Sequence, residues 1–452
     1  MDDVAALLAV WMVRQRWYAT KGQSPRIRII GTVHLATAAA GARCLIHLVL
    51  DEAPEVPVLY QVPVVVRTAI EPAASAALIG EAGGDCFYDG PHDPVFAAAL
   101  LDAISHERHL PGDQVRADGT TLGASGGILR SRVLGGEQSN TSIVYDMDGG
   151  PLPFVIAKVF RVLHHGENPD VTTQAALTQG GSHRAPPLVG YLTATWPDPG
   201  RASGTAIGHL AFAQEFLPGL DDAWRVALRA AAAGESFADR AYDLGIATAE
   251  VHATLARVLA TTPTGAEDVE DALVSMRARL RVASKEVLGV ARFAESITAV
   301  YATAASGDLP RLQRIHGDLH LGQALLSPDR GWMLIDFEGE PLRPMDERSR
   351  PDSTLRDIAG MLRSFDYVAG SLAHTDGTDA RDWAGEARRS YVDGYIVSSG
   401  FDVRAHRILL DAFELDKAVY EAVYESRSRP TWIGIPLAAI ERLVARSAPL
   451  PG

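Results

Sequence analysis

Three polar side chains hold the densest chemical information in this chain: Asp318, Gln323 five residues later, and Asp336 thirteen beyond that. Asp318 sits in Ile315-His316-Gly317-Asp318-Leu319-His320-Leu321-Gly322-Gln323. Asp336 closes the apolar run Trp332-Met333-Leu334-Ile335 and leads into Phe337-Glu338-Gly339-Glu340. A carboxylate that can accept a hydroxyl proton, an amide oxygen and a second carboxylate suit phosphoryl transfer from a nucleoside triphosphate, where positioning and charge neutralisation outweigh covalent help. Gln323 offers Mg²⁺ a neutral oxygen and Asp336 a charged one, and that hard cation prefers oxygen ligands. Glu338 could hold a second metal or its water. A lone Asp and Gln at this separation would read as a solvated loop; His316, Gly317 and the apolar strand in register argue for the chemistry.

The spacing is also that of known motifs. Asp318 and Gln323 are as far apart as the catalytic Asp and metal-binding Asn of the kinase pattern H-R-D-x-x-x-x-N, and Asp336-Phe337-Glu338 stands where kinases carry D-F-G. Upstream, Phe154-Val155-Ile156-Ala157-Lys158-Val159-Phe160 reads as a strand with one lysine inside an apolar run. Burying that lysine is costly unless an anion meets it, and nucleotide phosphates would do so. The turn from Gly135 to Ser142 offers flexible backbone and hydroxyls, so Gln138, Ser139, Asn140, Thr141 and Ser142 are candidates to cradle phosphates, although an ordinary hairpin turn fits as well. Ala211–Leu217 is a strand ending in Gln214-Glu215-Phe216-Leu217, placed where adenine would lie.

The elements that must position these residues follow in order. Residues 2–18 read as an amphipathic helix, and Trp17 and Tyr18 as packing residues. Strands are predicted over 26–35, 44–50, 56–67, 131–134 and 141–146, and a helix over 94–104 with Asp93 as its cap. Asn168-Pro169-Asp170 opens a helix over 171–178, with Asp170 read as a cap rather than as the partner of Lys158. Helices are predicted over 223–234, 235–260, 267–285, 289–305, 354–370, 380–398, 404–425 and 434–446, with His252 a core residue. The reading is α+β in three parts: a cap over 1–110, a β-rich nucleotide-binding subdomain over 111–216, and a helical region over 217–452 carrying the catalytic and acceptor sites.

A net charge of −14 disfavours a nucleic-acid partner, which would meet like charge. Two cysteines build no disulfide framework, and neither a secretory signal nor a membrane-length apolar run is visible, so a cytoplasmic protein is expected. No oligomeric state follows; a monomer is compatible.

An acceptor sugar wants carboxylates for its hydroxyls and an aromatic face for its C–H side. The helix over 411–425 supplies Glu414, Asp416, Tyr420 and Glu421, Trp432 lies beyond it, and His316 adjoins Asp318. The alternative for that helix is a solvated face with an i,i+4 ion pair, Lys417–Glu421.

The chain resembles actinobacterial maltokinase-type proteins within the aminoglycoside phosphotransferase-like kinases. The resemblance rests on Arg14-Gln15-Arg16-Trp17-Tyr18-Ala19, Glu137 to Ser142, Ala157 to Phe160, His316 to Gln323, Asp336 to Pro341, Leu415 to Glu421 and Arg429-Pro430-Thr431-Trp432. It implies a bilobal protein-kinase-like fold with an N-terminal cap, and transfer of phosphate from ATP, with Mg²⁺, to a free sugar. Maltokinases make maltose 1-phosphate for α-glucan synthesis; a sister branch resembles glucosamine kinases, which make glucosamine 6-phosphate. Maltokinases resemble one another in a glutamate two residues past the Asp of Asn-Pro-Asp, where this chain has Thr172. They also read Trp-Leu-Pro-Ile-Pro where it has Trp432-Ile433-Gly434-Ile435-Pro436. Those departures and the acid-rich acceptor helix favour glucosamine, with maltose as the alternative. An aminoglycoside acceptor and an inert kinase-like binding module are further readings.

Overall fold

The structure is a computed structural model that describes residues 2–135, 139–340 and 343–447. It forms two compact units: the chain up to Thr178 with Pro186–Pro218, and Gln179–Ala185 with the chain from Gly219 onward.

The first unit is built on two antiparallel sheets. Strands β1 (Ile27–Leu35), β2 (Ala42–Asp51), β3 (Val58–Arg67), β4 (Leu78–Ala82), β5 (Asp85–Asp89) and β7 (Gly112–Asp113) form one sheet in the order β4-β5-β3-β2-β1-β7. The other contains β6 (His109–Leu110), β8 (Arg116–Thr121), β9 (Gly127–Val133), β10 (Asn140–Asp148), β11 (Phe154–Phe160), β12 (Leu188–Pro197) and β13 (Thr205–Glu215), in the order β6-β8-β12-β13-β11-β10-β9. Alternation explains why β3 is apolar throughout. Tyr60, Val62, Val64 and Val66 face helix α1 (Asp2–Met12) with Trp11, Trp17 and Tyr18, while Val65 joins a core shared with helix α2 (Pro94–Ser105). Trp17 and Tyr18 are buried packing residues, as expected, and the Tyr18 hydroxyl also donates to Asp51 at 2.6 Å. Asp93 caps α2 by accepting from the Val95 N–H, with Pro94 in the first turn.

The predicted strands over 26–35, 44–50, 56–67 and 141–146 are present with ends shifted by at most two residues, and the run 154–160 is β11 as read. Several elements went unread, among them the strands β4, β5, β6, β7, β8 and β12. Strand β8 (Arg-Ala-Asp-Gly-Thr-Thr) lacks an apolar run, and its place comes from six pairings with β12. Neighbouring strands supply what the local pattern lacks.

The second unit is mostly helical: α4 (Ala223–Ala233), α5 (Ala238–Val258), α6 (Ala266–Glu286), α7 (Leu288–Ala291), α8 (Ala294–Ala304), α9 (Met345–Arg348), α10 (Thr354–Thr375), α11 (Arg381–Ser399), α12 (Arg407–Ser428) and α13 (Gly434–Ser447). Most of these follow the predicted helices, but the helix read over 289–305 divides into α7 and α8, α10 runs on to Thr375, and α9 was not read; helix α3 (Pro169–Gln179) of the chain between β11 and β12 starts two residues earlier than read. One hairpin, β14 (Ala324–Ser327) and β15 (Gly331–Leu334), interrupts the helices. It separates the Asp318 segment from Asp336 and turns Asp336 back toward Gln323. Among the described residues, no helix is long and apolar enough to cross a membrane.

Candidate active site

In the second unit the Asp318 segment is tied down by a residue the sequence reading passed over, Asp357 of α10. Its Oδ2 accepts from the backbone N–H of His316 at 2.7 Å and meets His252 Nε2 at 2.9 Å, and its Oδ1 accepts from the Gly317 N–H at 2.9 Å. Asp357 is 1% exposed. Burial pushes its carboxyl up, but His252 and the Gly317 N–H hold it below the usual range. The signal for it was faint: an acid in the first turn of a helix capped by Ser353, normal helix chemistry without the pairing 40 residues away. His252 is the buried core residue expected, bonded also to the Tyr395 hydroxyl.

His316 turns inward rather than toward a substrate. It is 1% exposed, its Nε2 lies 2.9 Å from the Ile335 carbonyl, and its ring packs on Phe337 at 4.7 Å. The carbonyl can only accept, so Nε2 carries the proton and Nδ1 is left to accept from the Asp318 N–H at 3.4 Å. His316 therefore fastens the Asp318 loop to the strand end before Asp336. Two glycines permit the approach: Gly317 (φ +85°) and Gly339 (φ +73°) lie so close that a Cβ on Gly317 would stand 3.2 Å from the Gly339 Cα.

Asp336 has φ +65°, a left-handed conformation rare outside glycine and tolerated by a short polar side chain. It is held by the Gln323 Nε2, 3.1 Å from its Oδ2, and by the Ile335 N–H donating to the Gln323 carbonyl at 3.0 Å. The sequence-predicted metal pair thus meets, and because an amide can turn, Gln323 can present either its nitrogen or its oxygen at that point. Glu338 lies in the same segment, within electrostatic reach of Arg348.

Around Asp318 the arrangement differs from the expected one. Lys417 of α12 places its Nζ 2.8 Å from Asp318 Oδ1 and 2.8 Å from Glu340 Oε1. Burial alone would lower the Lys417 pKa; the two carboxylates outweigh it and raise it well above the lysine range. Glu340 is pulled up by burial and further down by Lys417, Arg343 and Arg356, ending at about 2. Tyr420 lies with its ring centroid 4.9 Å from the Lys417 Nζ, and Asp416 forms a bidentate pair with Arg279 at 2.8 and 2.5 Å. Asp318, Glu340, Asp416, Lys417 and Tyr420 line one small cavity.

The i,i+4 pair predicted between Lys417 and Glu421 does not form. Lys417 finds two carboxylates, half-buried Asp318 and buried Glu340, while the Arg363 fork takes Glu421 at 3.0 and 2.6 Å. Glu414 is fully buried and paired with Arg388 at 2.7 Å, and Trp432 packs against Arg429 and His374. Neither glutamate lines the Asp318 cavity. Their burial also rules out the solvated helix face considered for α12.

In the first unit, Lys158 of β11 is opposite Ser142 of β10 in the sheet register. Its Nζ lies 2.9 Å from Asp170 Oδ2. The reading of Asp170 as a cap is corrected here: the side chain of Asn168 caps α3 by accepting from the Asp170 N–H at 2.9 Å, which leaves the Asp170 carboxylate, 1% exposed, for Lys158 and Gln174. Thr172 only donates its hydroxyl back to the Asn168 carbonyl. Thr141, one residue from Ser142, points to the other side of the sheet and accepts from buried Arg161 at 2.8 Å. Ser139 is exposed and Asn140 opens β10; Gln138 lies outside the described residues. Gln214 and Glu215 end β13, with the Gln214 Oε1 buried and unbonded, and the Phe216 N–H donates to the Phe154 carbonyl at 3.0 Å just before Leu217.

Residues 11–93 match the maltokinase N-terminal cap domain, and residues 197–391 match the phosphotransferase enzyme family. The chain is a cap-bearing phosphotransferase. Two curated relatives cover most of this phosphotransferase. The glucosamine kinase of Streptacidiphilus jiangxiensis is 29% identical over 82% of this chain and 86% of its own. That of Mycolicibacterium smegmatis is 29% identical over 83% of this chain and 94% of its own. Among solved structures, a glucosamine kinase in complex with glucosamine, ADP and inorganic phosphate is 25% identical, with a TM-score of 0.70 covering 97% of this chain and 98% of that one. The phosphotransferase thus shares the sheet-rich N-terminal and helical C-terminal plan of these kinases.

Proposed function

We propose that this phosphotransferase is an ATP- and Mg²⁺-dependent glucosamine kinase that forms glucosamine 6-phosphate. The observation that carries the kinase chemistry is the Asp318 carboxylate, held on one oxygen by Lys417 and with the other turned to no partner among the described residues. That second oxygen accepts the proton of the acceptor hydroxyl as the phosphoryl group moves onto it and ADP leaves. Lys417 fixes the direction of the carboxylate, and Glu340 keeps Lys417 in place. Gln323 and Asp336, which already meet, would hold Mg²⁺, with Glu338 beside them; the ion would neutralise phosphate charge. Lys158, with Ser139, Asn140 and Ser142 nearby in sequence or register, would meet the nucleotide phosphates, and Gln214 to Leu217 the base. Reduced thiols at Cys44 and Cys86 and the need for ATP fit work in the cytoplasm.

For the acceptor, the two curated relatives and the solved complex support glucosamine. The cap match over residues 11–93 favours a second reading, a maltokinase making maltose 1-phosphate. A panel of glucosamine, maltose, glucose, N-acetylglucosamine and kanamycin, read by ADP release and ranked by kcat/KM, separates them, with product NMR to locate the phosphate. Glucosamine should lead. Maltose leading would replace the acceptor assignment, kanamycin leading would make the chain an antibiotic-modifying enzyme, and no turnover on any acceptor would leave a binding module.

A further inference from the structure

The second unit contains another cavity, of about 920 Å³, among α10, α11, α12 and α13. None of the residues around Asp318 lines it. Its size is that of small-molecule sites in general. Its chemistry is unusual: eight arginines line it, against two carboxylates.

Salt bridges account for only part of that charge. Asp366 alone serves three guanidiniums, those of Arg363 at 3.0 Å, Arg388 at 3.0 Å and Arg442 at 2.6 Å. Behind the wall, Glu421 pairs with Arg363 and Glu414 with Arg388, while Arg407 and Arg446 share Asp411. Arg389, exposed on α11, has no carboxylate partner among the described residues. Five arginines thus share four carboxylates, and Arg389 brings the guanidiniums to six. The Arg407 Nη2 is buried without a hydrogen-bond partner, a donor left unsatisfied at the wall. Leu362, Val392, Leu410 and Ile435 complete the lining with apolar surface.

An excess of two positive charges, presented by planar donors, matches a phosphate group, which has close to two negative charges at neutral pH and is bound by arginine forks. The apolar lining suits a body attached to it. We propose that this cavity is a second ligand site that takes a phosphorylated small metabolite, its phosphate against Arg389, Arg407 and Arg442 and its less polar portion against Leu362, Val392 and Ile435.

Calorimetric titration of the full chain with inorganic pyrophosphate, AMP and glucose 6-phosphate tests it. Pyrophosphate should bind, and Arg389→Glu, on an exposed position outside the catalytic machinery, should weaken it by at least about tenfold, the size of one charged hydrogen bond. Lys158→Met should leave this binding in place, which separates it from nucleotide-phosphate binding. Should Arg389→Glu disturb the fold by circular dichroism, Arg442→Gln serves the same comparison. AMP or glucose 6-phosphate binding more tightly than pyrophosphate supports the apolar contact and tells a nucleotide from a sugar phosphate; both binding more weakly overturns that part. Wild-type affinity in the folded arginine variant, absence of pyrophosphate binding, or its loss in Lys158→Met overturns the site.

Discussion

Lys158 in the first unit and Lys417 in the second are both half-buried cations, but with different surroundings. Lys158 meets Asp170, twelve residues away in sequence; Lys417 meets Asp318 and Glu340, 99 and 77 residues away. The chain has only four lysines, Lys21, Lys158, Lys285 and Lys417, among 42 basic residues. Where arginine is so abundant, two lysines in these places point to a need for a compact point charge rather than a planar fork. In the proposed function, Lys158 exchanges part of its interaction with Asp170 for an incoming phosphate. In the second cluster Glu340 also pairs with Arg343 at 2.9 Å, so the two carboxylates fix Lys417 and leave Asp318 an oxygen to spare.

The comparison predicts the largest effect at Lys417. Lys417→Met leaves two carboxylates facing each other in a buried site, and breaking such a cluster costs about 3–5 kcal/mol. A fall in thermal stability together with lost turnover is expected; a stable, fully active variant would remove Lys417 from the account. Next comes Lys158→Met, which takes the ammonium away from Asp170. Here the defect should fall mainly on nucleotide KM, by about tenfold or more, since a hydrogen bond to a charged group is worth about 1.5–3 kcal/mol. An equal loss at both lysines in both readouts would erase the distinction between them.

A smaller effect follows from pH. The Glu340 carboxyl lies at about 2 in the folded protein against an ordinary 4.5. Its contribution to stability is thus complete above about 4.5 and is lost as pH falls from there toward 2. Glu340→Gln should flatten the acid side of the stability profile over that window, and an unchanged profile would show that another carboxylate dominates it. The smallest effect is at Thr172, where maltokinase-like proteins have a glutamate. Because Asp170 already supplies the carboxylate, Thr172→Glu should change nucleotide KM by no more than about twofold, the range of a neutral substitution. A large improvement would mean that Asp170 is a poor substitute.

The same two lysines mark how far the sequence could be read. The strand of Lys158 was legible because it is apolar on both sides of that residue, and the approach of Gln323 to Asp336 because the two keep a recognisable spacing. The partner of Lys158 was misassigned because Asn168 and Asp170 are both good caps, and only the folded backbone shows which one caps α3. Lys417 was read against Glu421, its helical neighbour, since helix geometry is all that local spacing reveals. Its true partners, like the hold of Asp357 on the His316 and Gly317 N–H groups, span long stretches of chain and leave no periodic trace. Helices of the second unit were legible for the opposite reason, because their periodicity is local. Strand β8, polar and set by its neighbour, was not.

The most direct test of the account is turnover of Asp318→Asn, measured with nucleotide affinity on the same sample. Asparagine preserves shape and cannot take the acceptor proton, so kcat should fall by at least about 10²-fold while ADP binds as in the wild type. Turnover within a few-fold of wild type, with the protein folded and nucleotide bound, would contradict the role given to Asp318.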